Sequence, residues 1–170
     1  FIRGENGWVV IDPLTTTETA RAAYDLVAEH LGERPVTAVV YTHSHVDHYG
    51  GVLGVVDLER VESGEVPIVA PEGFLREAVA ENVVAGPAMS RRTTYQFGLL
   101  IPWNEHGHVD QGLGKGLPTG SSALVPPTIE ITETGQELVL DGVRIEFQLT
   151  PETEAPAEMH FYFPDHRILC

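Results

Sequence analysis

The chain has 170 residues and a formal net charge of −15, from 25 Asp and Glu against 10 Lys and Arg. That length suits one domain. The acidity argues against a nucleic-acid partner, whose phosphates attract the opposite sign, and no apolar run is long enough to cross a bilayer. The single cysteine, Cys170, excludes an internal disulfide and a cysteine-rich zinc site; it reads as a buried strand thiol.

In chain order, Trp8 to Ile11 is a short apolar strand closed by Asp12-Pro13. Thr15 to Thr17 then offer N-cap hydroxyls, with Glu18 in the first turn, for a helix running to about His30. Ala20, Ala23, Tyr24, Val27 and Leu31 recur at three and four residues, which predicts one buried face, and Gly32 with Pro35 ends the helix. Val36 to Tyr41 is a second β-branched strand. After Gly51 comes a helix-like stretch, then a strand over 66–70 with Pro67 at an edge or first position. A helix follows from Pro71 or Glu72 to about Val84.

Residues 85–127 lack clear periodicity, and the run from Gly112 to Gly120 reads as a loop able to lie over a site. Thr128 to Thr132, Glu137 to Leu140 and Val143 to Leu149 alternate apolar and polar residues, with Asp141-Gly142 as a hairpin turn. Met159 to Phe163 is a further strand, and Pro164-Asp165-His166 turns the chain into what reads as the first half of another. Helices alternating with strands early, and strands alone later, predict an α/β (α+β) fold with two β-rich layers and helices outside. Both ends read as cut from a longer protein. The compartment is left open between secreted, periplasmic and cytoplasmic.

The chemistry is concentrated in His43-x-His45-x-Asp47-His48. Four metal-binding side chains fall within six residues, directly after a strand and before Gly50-Gly51. His43 and His45 point to one side of an extended chain and can grip one ion, while Asp47 and His48 follow the turn and can reach a second. Imidazole nitrogen and carboxylate oxygen both suit zinc, and the C-terminal end of a strand is where α/β folds place their sites. Gly50 and Gly51 are expected where the backbone bends sharply to fold the ligands inward.

This segment resembles the metallo-β-lactamase superfamily signature, in which Thr-His-x-His-x-Asp-His follows a buried strand. Asp12 matches the acid common at the end of the first strand in that superfamily, where it supports the site from behind. The stretches from Glu81 to Arg92 and from Thr150 to His160 are similar to the bacterial alkyl sulfatases, and the likeness runs over nearly the whole chain. The resemblance implies a metallo-β-lactamase-like αββα sandwich, incomplete at the C-terminus, with residues 1–170 as the N-terminal part of a catalytic domain. It also implies that Glu154 stands where most of the superfamily carries a third His; Glu152 and Glu158 are its competitors, and His160 reads as a strand residue.

By the same resemblance, the intact protein is expected to hydrolyse alkyl sulfate esters to alcohol and sulfate with two Zn2+ ions. His43, His45 and Glu154 would hold one ion, and Asp47 and His48 would contribute to the other. Bound water is then ionised near neutral pH, its pKa falling from about 15.7 to about 7; Asp47 would orient the resulting hydroxide. Further ligands are expected beyond Cys170. The expected substrate is a small amphiphilic sulfate ester and the expected assembly a homodimer, with Arg91, Arg92 and Lys115 as candidate cations for the sulfate. Two alternatives stay open: another hydrolase of this fold (thioesterase, lactonase, lactamase or phosphodiesterase), or a non-catalytic metal-binding fragment.

Overall fold

The structure, a computed structural model, describes residues 1–111 and 116–170. Lys115 and the first part of the glycine-rich run fall outside the described residues.

Among the described residues, nine strands form two sheets. The first has the order β1-β2-β3-β4-β5, with β1 at Ile2–Arg3, β2 at Trp8–Ile11, β3 at Val36–Val40, β4 at Ile68–Pro71 and β5 at Ile129–Ile131. β1 runs antiparallel to β2, and all other pairs in that sheet are parallel. The second sheet is antiparallel in the order β6-β7-β8-β9, comprising Glu137–Leu140, Val143–Leu149, Met159–Phe163 and Ile168–Leu169.

The parallel strands β2, β3 and β4 are largely apolar on both faces because both faces are covered, whereas the edge strand β5 exposes Glu130. Val9, Ala38, Val40, Val69 and Ile131 pack against Ile145, Phe147, Met159 and Phe161 of the second sheet. On the opposite face, Val10, Val39, Tyr41 and Ile68 meet Tyr49, Val52, Phe74 and Ala78 from the helical side. The result is the sandwich expected from the sequence, with one helical layer over the first sheet. β6 and β7 alternate because only one face of the second sheet is buried, as Val143, Ile145 and Phe147 on one side and Arg144 and Gln148 on the other demonstrate.

Helix α1, Thr17–Leu31, is capped by Thr16, whose hydroxyl accepts from the Thr19 amide while the Thr19 hydroxyl accepts from the Thr16 amide. Of its predicted apolar face, Ala20 is buried and Ala23, Tyr24 and Val27 are half-buried, whereas Leu31 is exposed because the helix has by then left the sheet. Glu18 accepts from the Ser121 amide at 2.9 Å, and the Ala123 amide donates to Gly50 at 2.8 Å. These bonds tie the strand-less segment 116–123 to the site end of the sheet.

Several sequence expectations need correction. Pro71 ends β4 rather than opening a helix, and α4 begins later, at Phe74–Val79, after a left-handed Gly73 with φ of 81°. The helix does not run evenly to Val84 either, since Ala80–Val84 is a π-turn closed by the Ala85 amide on the Ala80 carbonyl at 2.9 Å. The stretch after Gly51 is a 3-10 turn, Val52–Gly54, followed by α3 at Leu58–Glu62; α2, Val46–Tyr49, lies before it. Part of the segment without period is helical, α5 at Gly86–Gln96, with no buried residue and hence no apolar stripe to read. Cys170 is exposed, not buried, because it extends the short edge strand β9. Pro67 lies just before β4, which is internal, and its carbonyl accepts from the Val39 amide at 3.0 Å.

Candidate metal centre

The site lies at the rim where the two sheets meet. β2 and β3 are parallel neighbours, so their C-terminal ends bring Asp12 beside Thr42 and the His-rich segment. From the second sheet, Glu158 forms a backbone bridge with His43, and the Met159 amide donates to the Thr42 carbonyl at 3.0 Å. The loop 150–157 that enters β8 is thereby held against the same segment.

Asp12 organises the imidazoles. Its φ of 51° and the 59° of Leu14 put two non-glycine residues in the left-handed region around Pro13, a conformation that costs on the order of 1 kcal/mol each. That kink turns the Asp12 carboxylate onto β3. Its Oδ1 accepts from the Thr42 amide at 2.8 Å and its Oδ2 from the Thr42 hydroxyl at 2.7 Å. The same Oδ2 is 2.7 Å from His48 Nδ1, and the Thr42 oxygen is 2.8 Å from His43 Nδ1. With the Thr42 proton committed to Asp12, its oxygen accepts from His43 Nδ1. His43 Nδ1 and His48 Nδ1 therefore both act as donors, which directs both Nε2 atoms to the cavity.

At the cavity side, His43 Nε2 lies 3.0 Å from His45 Nδ1, and His45 Nδ1 lies 3.8 Å from Glu154 Oε1. One donor atom from each of the three falls within 4.8 Å of the others. Around a tetrahedral ion with bonds of about 2.0–2.1 Å, donor atoms stand about 3.3 Å apart; the observed separations straddle that value, so this set fits a divalent cation. His48 Nε2 and Asp47 Oδ2 form a neighbouring pair 3.5 Å apart, and the rings of His43 and His48 are 3.9 Å apart at their centroids. The structure thus brings all five predicted residues to one place. It does not bring Arg91 or Arg92 into a contact with them: both are exposed on α5.

Gly50 and Gly51 are required for a reason other than a sharp bend. Gly50 has an ordinary helical φ of −60°, but a Cβ there would collide with the Thr15 carbonyl, and one at Gly51 with the carbonyls of Pro13 and Thr16. The close approach lets the end of α2 lie against the loop that follows Asp12.

The competitors of Glu154 have other positions. Glu152 is exposed with φ of 63°. Glu158 Oε2 accepts from the Thr153 hydroxyl at 2.6 Å, the Glu154 amide at 2.7 Å and the Ala155 amide at 3.0 Å. It is the internal post of the loop that presents Glu154. Burial opposes its ionised form, but those three donors outweigh it and hold the carboxyl below its ordinary range. Glu158→Ala is expected to lose about 1–3 kcal/mol, because two amides are left without an acceptor. It should also weaken metal binding by loosening Glu154; a variant with unchanged thermal midpoint and metal affinity would contradict this role.

Electrostatics divide the imidazoles. Burial and the neighbouring His48 and His45 push His43 down, towards the neutral ligand form. Burial also disfavours a charged His48, but hydrogen bonds to Asp12 and Asp47 prevail and raise it to about 10. Asp47 is lowered, chiefly by its bond to His48. A proton on His48 Nε2 therefore occupies the place a cation would take. Because the folded value is raised, this ion pair stabilises the metal-free protein fully below pH 6.5, and the contribution is lost as pH rises towards about 10. Metal affinity should run the opposite way, rising with pH as that proton is displaced. Calorimetry in buffers of different ionisation enthalpy should register net proton release near neutral pH; release of none would contradict the assignment.

Residues 1–169 match the metallo-beta-lactamase superfamily. The chain belongs to that superfamily. Membership implies divalent-metal binding, and the donor atoms of His43, His45 and Glu154 lie close enough together to hold such an ion. The chain is 51% identical over 169 residues to a linear primary-alkylsulfatase from Pseudomonas sp.. It is 50% identical to the alkyl/aryl-sulfatase BDS1 of Saccharomyces cerevisiae and 46% identical to an (R)-specific secondary-alkylsulfatase of Pseudomonas sp.. Each comparison covers 99% of this chain but 25–26% of the relative, so the chain spans about a quarter of their length. The structure of the stereoselective inverting sec-alkylsulfatase Pisa1 from Pseudomonas sp. superposes with a TM-score of 0.93 at 46% identity, over 99% of this chain and 27% of that one. A metallo-beta-lactamase from Pontibacter korlensis shares the fold at 19% identity, with a TM-score of 0.55, over 99% of this chain and 55% of that one.

One residue beside the site escaped the sequence reading as a site residue. Glu81 Oε2 stands 3.6 Å from His45 Nε2, on the far side of that ring from Glu154. A carboxylate 36 positions downstream of His45 carries no local signal of this contact, which only the packing of α4 and its π-turn creates.

Proposed function

We propose that the full-length protein hydrolyses alkyl sulfate esters to an alcohol and sulfate, using two zinc ions, and that residues 1–170 are the N-terminal part of its catalytic domain. The observation that carries this reading is the likeness to three alkylsulfatases over 99% of the chain, joined to the convergence of His43, His45 and Glu154. In this reading His43 Nε2, His45 Nδ1 and Glu154 would hold one ion, and Asp47 and His48 would contribute to the other together with ligands expected beyond Cys170. Once bound, the cations would lower the pKa of bound water to about 7 and set positive charge against the ester's sulfate. Asp47 Oδ2, exposed beside His48, would accept a hydrogen bond from the attacking water and orient it.

A pocket of about 380 Å³ adjoins Asp47 and His48, walled by Leu14, Thr15, Leu117 and Pro118. Its apolar wall suits the alkyl part of an amphiphilic ester. The full-length protein acts as a homodimer in this reading.

The alternatives on this fold share these donors, so substrates decide between them. Full-length protein should turn over dodecyl sulfate faster than a long-chain thioester or a phosphodiester. Faster turnover of either rival would overturn the sulfatase reading.

A further inference from the structure

A neutral imidazole binds a cation through one nitrogen while the other keeps its proton, and the partner of that second nitrogen fixes both tautomer and ring orientation. Two of the three histidines have such a partner through Asp12: His48 directly and His43 by way of Thr42. His45 has none on the Asp12 side. Its Nδ1 faces His43 and Glu154, so its proton belongs on Nε2, and the carboxylate at Nε2 is Glu81.

Three features of Glu81 fit this part. Among the described residues its ion-pair contact is with His45 and with no arginine or lysine, so its charge is not spent on a surface pair. Both side chains are about three-quarters buried, at 28% exposure for His45 and 26% for Glu81, where screening by water is reduced. Glu81 also sits in the π-turn Ala80–Val84. Such turns insert a residue into a helix and re-aim its side chains, often at functional sites. Tyr49 packs edge-on to Phe74, which stacks on Tyr41 at 4.9 Å, and these aromatic contacts join α2 to α4.

We propose that Glu81 is a positioning residue for the metal centre: its carboxylate accepts the Nε2 proton of His45 and so presents Nδ1 to the cation. At 3.6 Å the pair stands just outside hydrogen-bond range, a gap that a small turn of the Glu81 carboxylate would close. The inference rests on His45 being a ligand and goes beyond it by assigning the residue that orients the ring.

The test uses the full-length protein, with zinc affinity read by competition against a chromophoric chelator, the absorption bands of the cobalt-substituted site, and the thermal midpoint of the metal-free form. Glu81→Ala is expected to weaken zinc about 10- to 100-fold and to shift the cobalt bands. Glu81→Gln, which keeps an acceptor oxygen but not the charge, should fall between it and the parent, with all three metal-free midpoints alike. Zinc affinity and cobalt bands in Glu81→Ala equal to the parent's would overturn the proposal. So would a Glu81→Ala that fails to fold alongside a Glu81→Gln unaltered in both readouts. His45→Ala separates this failure from that of the ligand reading: zinc lost in His45→Ala but kept in Glu81→Ala sinks the positioning role alone.

Discussion

In the full-length protein, His45→Ala is expected to lower zinc affinity at the first position by at least about two orders of magnitude, leaving two donors from this chain where three stood. His45 is the hinge of the cluster. Its Nδ1 is 3.0 Å from His43 Nε2 and 3.8 Å from Glu154 Oε1, so it is the member that approaches both others. The fold has little stake in it: the ring is partly exposed, and its contacts are with the other site residues and Glu81. The metal-free thermal midpoint should therefore move by no more than about 0.5 kcal/mol equivalent. Elemental analysis after dialysis, with a thermal melt of the stripped protein, reads both quantities. Unchanged zinc content, or zinc lost only because the protein has unfolded, would refute the ligand assignment.

Asp12→Ala should do the reverse and damage fold and site together. One carboxylate accepts from the Thr42 amide, the Thr42 hydroxyl and His48 Nδ1. Removing it leaves a partly buried amide and imidazole without an acceptor, which costs about 2–4 kcal/mol in total. Relief of the left-handed backbone at residue 12 does not offset this, because alanine tolerates that region less well than aspartate. The tautomers of His43 and His48 also lose their common anchor, so metal affinity should fall about 10- to 100-fold. Without its Asp12 bond, His48 should titrate well below the parent's value of about 10, a change that proton NMR of the metal-free protein can follow. A melt within about 0.5 kcal/mol of the parent, with His48 titrating as before, would remove Asp12 from its place behind the site.

The amino-acid pattern reveals the site better than it reveals the scaffold that orients it. His43, His45, Asp47 and His48 lie within six residues after an apolar strand, so their convergence is local and spacing alone suggests it. Glu154 came only through family likeness, since nothing in Thr150 to Glu158 distinguishes one of its three nearby carboxylates by spacing. In the structure the distinction is tertiary: Glu158 turns inwards onto loop amides, and Glu154 is left facing His45. Glu81 is invisible for the same reason.

Among the elements, the strands that fill the space between the sheets were legible because burial on one or both faces imposes a pattern. Helix α5 was not, because it buries no residue and Gly86-Pro87 reads as a break rather than as a first turn. The interruption of α4 at Ala80 has no sequence mark either. Leu31 and Cys170 erred in the same direction, since both are apolar residues at the ends of elements that have already left the core.

The most direct measurement is anomalous scattering at the zinc absorption edge from crystals of the zinc-loaded full-length protein. A peak within about 2.0–2.2 Å of His43 Nε2, His45 Nδ1 and a Glu154 oxygen is predicted. Loaded protein whose zinc peaks lie away from these three atoms would contradict the account at its centre.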